Sequence, residues 1–352
     1  MNRFDYQRPA SVAAAVSAGA TRGAAFLGAG TNLLDLMKGG VTQPVTLVDL
    51  TKLPGLDRIE TLADGDVRIG ALVRNSTLAF DPAFAARFPA VAEALLSGAS
   101  PQLRNAATVG GNVLQRTRCA YFYDTASACN RRVPGSGCDA IGGENRLHAV
   151  LGWSEQCIAT HPSDFCVPLV ALGAIVEVEG VDGRRDVPLA DLHRLPGTTP
   201  EVETVLAPGD MIVAIRLPAA AQAFAAHQRY IKVRERTSYA FAVVSAAAAL
   251  DIADGRIAAG RLAFGGVAAK PWRAVAAEAL LTGQPPTRAT FERAAEVALA
   301  DARASGDNAF KIDLARRIAV RALIRAASGT PDRLPPLPAS PLATAAGEID
   351  HD

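Results

Sequence analysis

From Ala24 to Lys38 the chain reads AAFLGAGTNLLDLMK, and this stretch decides the first unit of the fold. The run from Ala24 to Leu27 is short and apolar, which is typical of a buried strand. A Gly-Ala-Gly turn follows, and then Thr31 and Asn32, which are residue types that cap helix N-termini. The stretch therefore predicts a strand, a tight turn and a helix that runs through Lys38.

A glycine turn between a strand and a helix is suited to hold an anion, because backbone N–H groups point at the ligand there. The turn is not a dinucleotide fingerprint, since the third glycine of that motif would fall at Leu33. A second turn, Gly110-Gly111-Asn112 after Thr108, also offers N–H groups to anionic oxygens. Together the two turns predict a long ligand with a pyrophosphate, although each alone is as compatible with an ordinary turn.

The segment between the second turn and Asp164 holds four of the five cysteines, namely Cys119, Cys129, Cys138 and Cys157. An irregular segment of about fifty residues usually has a function or an internal staple. It contains no C-x2-4-C knuckle of the kind that binds structural zinc, whereas the ligand spacing of iron–sulfur clusters varies more widely. The residues alone leave three interpretations open: an iron–sulfur cluster, a zinc site, or buried free thiols.

Positive charge accompanies the clustered cysteines and would favour an anionic cluster. The arginines concerned are Arg116, Arg118, Arg131, Arg132 and Arg146. The fifth cysteine, Cys166, lies in an apolar run and is predicted to be a buried thiol. No catalytic triad or hydrolase motif is present, and we interpret His161, which precedes a proline, as structural.

The composition limits the classes of protein to which this chain can belong. With 352 residues, 49% of them hydrophobic, the chain can form two or three domains with large cores. The net charge of +1 argues against a nucleic-acid-binding protein. The N-terminus lacks a signal-peptide pattern, and the longest apolar run is too short for a membrane span, so we expect a soluble chain without a signal of its own.

The C-terminal third shows a different pattern from the rest. We predict a helix at 82–96 and strands at 174–180 and 206–218 in the part before it. Strands at 228–235, 241–252 and 256–267 are then followed by helices at 271–281, 290–303 and 309–327. A meander of strands followed by a run of helices predicts a separate α+β domain. The tail from residue 335 has too little apolar content to fold alone.

The ordered motifs resemble the xanthine dehydrogenase and carbon monoxide dehydrogenase flavoprotein family over roughly residues 3–330. Residues 27–38 are similar to its first FAD loop and residues 100–112 to its second. His161-Pro162-Ser163-Asp164 resembles its Ser-Asp element, and residues 230–234 resemble the opening of its C-terminal domain. The implied fold class is α+β, with a two-part FAD-binding domain of the vanillyl-alcohol-oxidase type before a smaller α+β domain.

The resemblance divides the chain at defined points. The two FAD-binding parts cover residues 1–57 and 58–224, the C-terminal domain covers 225–330, and residues 331–352 form a disordered or docking tail. Asp164 and Lys232 are implied to lie near the flavin, with Met211 and Ile212 close by. The implied FAD-binding residues are Leu27, Gly28, Ala29, Gly30, Thr31, Asn32, Leu33, Leu34, Thr108, Gly110, Gly111, Asn112, Asp164, Ile212 and Lys232.

An insertion at about residues 113–160 departs from most of the family. It resembles the insertion in the flavoprotein subunit of periplasmic, molybdenum-dependent aldehyde oxidoreductases, where, as in 4-hydroxybenzoyl-CoA reductase, it binds a 4Fe-4S cluster. The resemblance therefore implies that Cys119, Cys129, Cys138 and Cys157 are metal ligands. A second departure is Ser238-Tyr239-Ala240, where many relatives carry an acidic residue, so no contacts are transferred there.

The implied function is that of an FAD-containing electron-transfer subunit in a heterotrimeric molybdenum hydroxylase that oxidises aldehydes to carboxylic acids. Electrons would pass from 2Fe-2S clusters of a small partner through FAD to an external acceptor, with the molybdenum cofactor and the substrate chemistry on a large partner. Co-export with a partner implies a periplasmic location, while the sequence alone fits the cytoplasm equally well. The alternatives are the flavoprotein subunit of an aromatic acyl-CoA reductase and a flavin-free metal-binding protein.

Overall fold

A computed structural model describes residues 1–331, so the predicted tail lies, apart from residue 331, outside the described residues. Three separate sheets organise this part of the chain, and each has helices of its own. Within residues 1–331, no helix has the length and the apolar character needed to cross a bilayer.

The first sheet is parallel and has the order β1-β3-β2. Its elements are β1 (Asp5–Gln7), α1 (Val12–Gly19), β2 (Ala24–Leu27), α2 (Leu33–Lys38) and β3 (Thr46–Asp49). The strand, turn and helix predicted for residues 24–38 are thus confirmed. Asn32 is the N-cap residue of α2, as expected, but its side chain makes no capping hydrogen bond. Its Oδ1 instead accepts a hydrogen bond from the N–H of Arg116, 2.9 Å away.

The second sheet is antiparallel and has the order β4-β5-β8-β6-β7. Its strands are β4 (Ile59–Thr61), β5 (Val67–Gly70), β6 (Ile175–Gly180), β7 (Gly183–Pro188) and β8 (Met211–Leu217). The helices of this part are α3 (Asn75–Phe80), α4 (Pro82–Arg87), α5 (Pro89–Ser97), α6 (Pro101–Ala106), α7 (Val109–Val113), α8 (Ala120–Tyr123), α9 (Cys166–Ala171) and α10 (Leu189–Leu192). Most of them pack on one apolar core with the sheet.

The single helix predicted at 82–96 is wrong, since the structure has α4 and α5 instead. The chain breaks at Phe88 because Pro89 has no N–H to continue the hydrogen-bond ladder. Phe84 and Phe88 nevertheless face the same core, with ring centroids 5.3 Å apart. The predicted apolar stripe is therefore preserved across the break.

The third sheet is antiparallel, has the order β12-β11-β10-β9, and follows a 3₁₀ segment at Ala219–His227. Its elements are β9 (Gln228–Val233), β10 (Val244–Ala253), β11 (Arg256–Gly265), β12 (Trp272–Arg273), α11 (Val275–Leu281), α12 (Arg288–Ala298) and α13 (Phe310–Ala327). The predicted meander followed by helices is confirmed. The helix expected from residue 271 begins later, because Trp272 and Arg273 pair with β11.

The cysteine-bearing insertion has little regular structure beyond the single turn of α8. Helix α13 holds it from outside the FAD-binding parts. Lys311, which has no exposed surface, donates from Nζ to the carbonyls of Leu147 and His148 (both 2.8 Å) and of Gly266 (2.6 Å). Asn308 donates to the carbonyl of His148 as well, at 3.1 Å. The insertion is therefore fastened to the C-terminal domain by buried side chains.

Candidate functional site

The first glycine loop is left with free hydrogen-bond donors. Among the described residues, the backbone N–H groups of Ala29, Gly30, Thr31 and Asn32 have no protein acceptor. Gly30 has a φ of +74°, and a Cβ there would stand 2.7 Å from Cδ1 of Leu34, so only glycine fits. Free amides at the start of a helix are what a phosphate group needs.

The second loop differs, because its backbone N–H groups already donate hydrogen bonds to acceptors within the protein. The N–H of Gly110 donates to the carbonyl of Ala71 at 3.0 Å, and the N–H of Gly111 donates to Thr108 Oγ1 at 3.3 Å. The expectation that these N–H groups face an anion is therefore not met. Thr108 instead lies against the first loop, since a Cβ on Gly28 would be 3.1 Å from its Oγ1. The two loops form one surface, with the free amides on the first.

A cleft of about 240 Å³ opens beside Thr108, between the two FAD-binding parts. Its lining is formed by Thr51, Asp57, Leu72, Val73, Arg74, Thr77 and Thr108. Of these, the sequence motifs pointed only to Thr108. The others lie in turns and at element ends without a local signal, and they become neighbours only when the first and second sheets pack together.

Asp164 is the centre of a buried polar group that joins the FAD-binding part to the C-terminal domain. Its two oxygens accept from Lys232 Nζ at 2.7 Å and from Tyr230 OH at 2.5 Å. The structure thus brings the predicted pair Asp164 and Lys232 together. Sequence reasoning missed Tyr230, although it lies two positions before Lys232 and therefore shares its face of β9. Burial raises the pKa of Tyr230 well above its usual value, and the Asp164 carboxylate adds to this, so the phenol stays a donor.

Ser163 links this polar group to the second loop. Its Oγ donates to Oδ1 of Asn112 at 2.7 Å and accepts from the N–H of Cys166 at 3.2 Å. Ser163 lies in the Ser-Asp element, but the sequence motifs did not predict it as a binding residue. Ile212 lies in β8, is 5% exposed, and belongs to the same core as Val109 and Val113. It therefore supports the second loop from behind.

A small crevice of about 30 Å³ lies where Asp164 meets the C-terminal domain. Arg118, His161 and Phe241 contribute to its lining. The guanidinium of Arg118 stands 5.0 Å from the centroid of the Phe241 ring, which is 48% exposed. Burial lowers the pKa of His161 well below its usual value, and neighbouring His193 adds to this. His161 is therefore neutral, which fits its interpretation as structural.

The four clustered cysteines are all free and occupy one region. Cys129 and Cys138 face each other in an antiparallel bridge. Burial raises the pKa of Cys119 to about 11, and Cys129 and Cys157 are close enough to contribute. Burial likewise raises the pKa of Cys138, again with a contribution from Cys157. Within residues 1–331, no three His, Cys, Asp or Glu side chains are grouped so as to hold a single metal ion.

Hydrogen-bond donors surround the sulfur atoms. Backbone N–H groups of Tyr121 and Phe122 point to Cys119, and those of Ala140, Ile141 and Ile158 point to Cys138. Nε2 of His148 is 3.2 Å from the Cys119 sulfur. Amide donors of this kind stabilise sulfur that carries negative charge, as the thiolates of an iron–sulfur cluster do.

Of the five arginines in this region, Arg131 alone reaches a cysteine. Its Nη2 donates to the Cys157 sulfur at 3.7 Å, and its Nη1 pairs with Glu203 at 2.8 Å. Arg116 pairs with the other oxygen of Glu203, and Arg132 donates to backbone carbonyls. Burial opposes the charge on Arg131, but Glu203 and Cys157 outweigh it and leave its pKa raised. The remaining two pair elsewhere, Arg118 with Tyr123 and Arg146 with Glu235.

Comparison with known proteins assigns this arrangement to a family. The FAD-binding domain of molybdopterin dehydrogenases matches residues 2–220. The chain belongs to that family. The C-terminal domain of the carbon monoxide dehydrogenase flavoproteins matches residues 229–326. The expected recognition and the two-part fold with a smaller C-terminal domain are thereby confirmed.

Individual relatives cover nearly the whole flavoprotein chain. The aldehyde oxidoreductase FAD-binding subunit PaoB of Escherichia coli is 48% identical over 93% of this chain and 99% of its own. The carbon monoxide dehydrogenase medium chain of Hydrogenophaga pseudoflava is 29% identical over 91% and 96%. A solved structure of the carbon monoxide dehydrogenase from that organism superposes with a TM-score of 0.72, at 28% identity over 93% and 98%. The expectation of an oxidoreductase subunit is confirmed at the level of the family.

The residues of this flavoprotein fit the cofactor for which its family is named. The free amides that begin at Ala29 suit a phosphate, and the joined loops border a cleft that can take an elongated ligand. The first loop would hold the negative charge, and Thr108 and Asn112 would contribute side chains from the second. The role of each single residue stays a prediction.

Proposed function

We propose that this chain is the FAD-containing electron-transfer subunit of a heterotrimeric molybdenum hydroxylase that oxidises aldehydes to carboxylic acids. Electrons from 2Fe-2S clusters of a small partner pass through FAD to an external acceptor, and substrate oxidation takes place at the molybdenum cofactor of a large partner. The observation that carries the proposal is the 48% identity to an aldehyde oxidoreductase FAD-binding subunit over 93% of the chain.

The FAD contacts follow from the joined glycine loops and from Asp164. FAD supplies the redox chemistry, and the protein supplies its binding and orientation. The amides of the first loop, from Ala29 to Asn32, bind the pyrophosphate. Asp164, held by Lys232 and Tyr230, provides a fixed polar group beside the crevice where the two domains meet.

The second cofactor in the proposal is a 4Fe-4S cluster on Cys119, Cys129, Cys138 and Cys157. Four thiols in one segment match the ligand set of such a cluster, and amide donors already point at two of them. Each thiolate of a four-iron cluster binds a different iron, so the ligands need not converge on a single point. The raised pKa values of Cys119 and Cys138 mean that the metal itself must displace their protons when the cluster forms.

The proposal also includes the partner subunits and the cellular compartment. Four curated relatives carry the description medium subunit or medium chain, which implies larger and smaller companions in those proteins. We assign the same place to this chain, between a molybdenum-binding large subunit and a 2Fe-2S small subunit. Export in the folded state with a partner would bring the complex to the periplasm, and cell fractionation with the partners present tests this.

The deciding experiment is anaerobic purification of the full chain, alone and with its partners. The expected visible spectrum has flavin bands over a broad iron–sulfur absorbance, with about four irons per chain. Zinc without flavin would overturn both cofactor assignments, and flavin without iron would overturn the cluster alone. The intact complex should reduce an artificial acceptor when given an aldehyde. A complex that instead reduces an aromatic acyl-CoA would replace the proposed reaction with the alternative one.

A further inference from the structure

The guanidinium of Arg131 lies against Cys157, one of the four proposed cluster ligands. Its side chain is 5% exposed and lies two residues after Cys129. Nη2 donates to the Cys157 sulfur at 3.7 Å, while Nη1 pairs with Glu203 at 2.8 Å. Buried from water, a fixed positive charge acts on its neighbours with little screening.

Glu203 balances this charge from a distant part of the chain. It comes from the connection between β7 and β8 and is held by Arg116 as well, at 2.6 Å from Nε. The carboxylate is therefore fixed on one side and shared with Arg131 on the other. Its negative charge partly offsets the electrostatic effect of the Arg131 guanidinium on the Cys157 sulfur.

We infer that Arg131 and Glu203 set the reduction potential of the cluster in opposite directions. This inference rests on the proposed 4Fe-4S cluster. Reduction adds an electron to a cluster whose ligands are already anionic, so nearby positive charge favours the reduced form. Arg131 raises the potential through the Cys157 sulfur, and Glu203 lowers it through Arg131. Both are positioning residues, since neither is a ligand.

The test uses the full chain in its complex and follows the cluster by electron paramagnetic resonance during a potentiometric titration. Arg131→Met should lower the potential, with the reduction equilibrium constant falling at least tenfold, which is about 59 mV for one electron. Glu203→Gln should raise it. Arg131→Lys keeps the charge and should remain closer to the wild type than Arg131→Met does.

Arg132→Met is the matched control, because Arg132 is a partly buried arginine of the same insertion that donates to the carbonyls of Tyr121 and Phe122 and to no sulfur. It should leave the potential of the retained cluster unchanged. A purely structural role for Arg131 and Glu203 would move the potential in the same direction in both variants, or not at all, and either result overturns the inference. If Arg131→Met loses its iron, Glu203→Gln decides: a raised potential supports the inference, and an unchanged or lowered one refutes it.

Failure of the proposed 4Fe-4S cluster gives a different experimental result from failure of the inference. A wild-type complex without iron removes the cluster and the inference together. If the wild-type complex contains about four irons per chain but neither substitution changes the reduction potential, the proposed function stands and only the inference is refuted.

Discussion

The glycine-loop surface, formed by residues 27–34 and 108–112, and the cysteine insertion are built in opposite ways. In the first, each loop adjoins its own regular element, because residues 27–34 link β2 to α2 and residues 108–112 form most of α7. The second has a single helical turn and is fixed by side chains from far away, with Lys311 lying 164 residues after Leu147. Short-range structure therefore determines the shape of each glycine loop, and long-range structure determines where the four thiols meet. The two regions should respond separately to substitution.

The largest expected effect is loss of all iron in Cys129→Ser, because a serine hydroxyl is a poor substitute for a thiolate ligand. FAD should stay bound, since the free amides that begin at Ala29 do not depend on the cluster. Iron and flavin are measured on the same purified sample. Cys166→Ala is the control, as Cys166 is buried outside the insertion and should not affect iron. Loss of both cofactors in Cys129→Ser would show that the insertion is part of the flavin fold.

The reciprocal substitution is Gly30→Val. A side chain there is strained by the φ of +74° and would stand 2.7 Å from Leu34, so the first loop must move. FAD affinity should fall at least tenfold, which is about 1.4 kcal/mol, while iron is retained. Gly55→Ala has nearly the same backbone conformation, φ +75°, but open space around it, so it separates strain from steric clash. Equal loss of FAD in both variants would contradict the role given to the loop.

A third substitution, Lys311→Met, addresses the fastening of the insertion. It removes the Lys311 donor from the carbonyls of Leu147 and Gly266, leaves the carbonyl of His148 with Asn308 alone, and should lower the free energy of unfolding by roughly 3 kcal/mol or more. Iron should be lost before FAD as denaturant is added, because the insertion depends on α13 and the glycine loops do not. Arg321→Met on the exposed face of the same helix should change stability by no more than about 0.5 kcal/mol. Simultaneous release of both cofactors would mean that the regions unfold together.

The smallest effect concerns acid stability at the carboxyl end of the second loop. Burial lowers the pKa of His193 to about 4, and its Nε2 contacts the carbonyl of Val113 at 2.9 Å. The unfolded chain binds more protons at this site between pH 6.5 and 4, so stability falls as the pH drops through that window. His193→Gln should reduce this fall by about 2 kcal/mol, as measured by urea unfolding across the window. An unchanged pH dependence would exclude His193 as the source.

Much of the flavin side could be predicted because its signals are local. A strand at Ala24–Leu27, a glycine turn and an apolar helix follow one another within fifteen residues, and the structure contains the same succession. Pro89 is a local signal for the break between α4 and α5, but the continuous apolar stripe favours a single helix. The hydrogen-bond state of the second loop was not predictable, because the partner of Gly110 is Ala71, on the other side of several helices.

The cysteine side could be predicted only in outline. Clustering of the thiols was evident, and so was the positive charge around them. Which arginine reaches a sulfur was not, since the choice depends on Glu203, whose sequence neighbourhood carries no recognisable motif. Likewise, nothing near Lys311 in the sequence distinguishes it from the exposed basic residues of α13, because its burial is decided by three carbonyls from two other segments.

The distance in sequence between the insertion and Lys311 has a consequence for how the protein is made. The ribosome adds about 5–20 residues per second, so the segment around Leu147 waits roughly ten to thirty seconds before its fastening residue is synthesised. During that interval the nascent chain has its thiols but not the helix that fixes their surroundings. If the four cysteines bind a cluster as proposed, we expect its assembly only after α13 has left the ribosome, and a messenger truncated before that point should yield a chain whose insertion is not fastened.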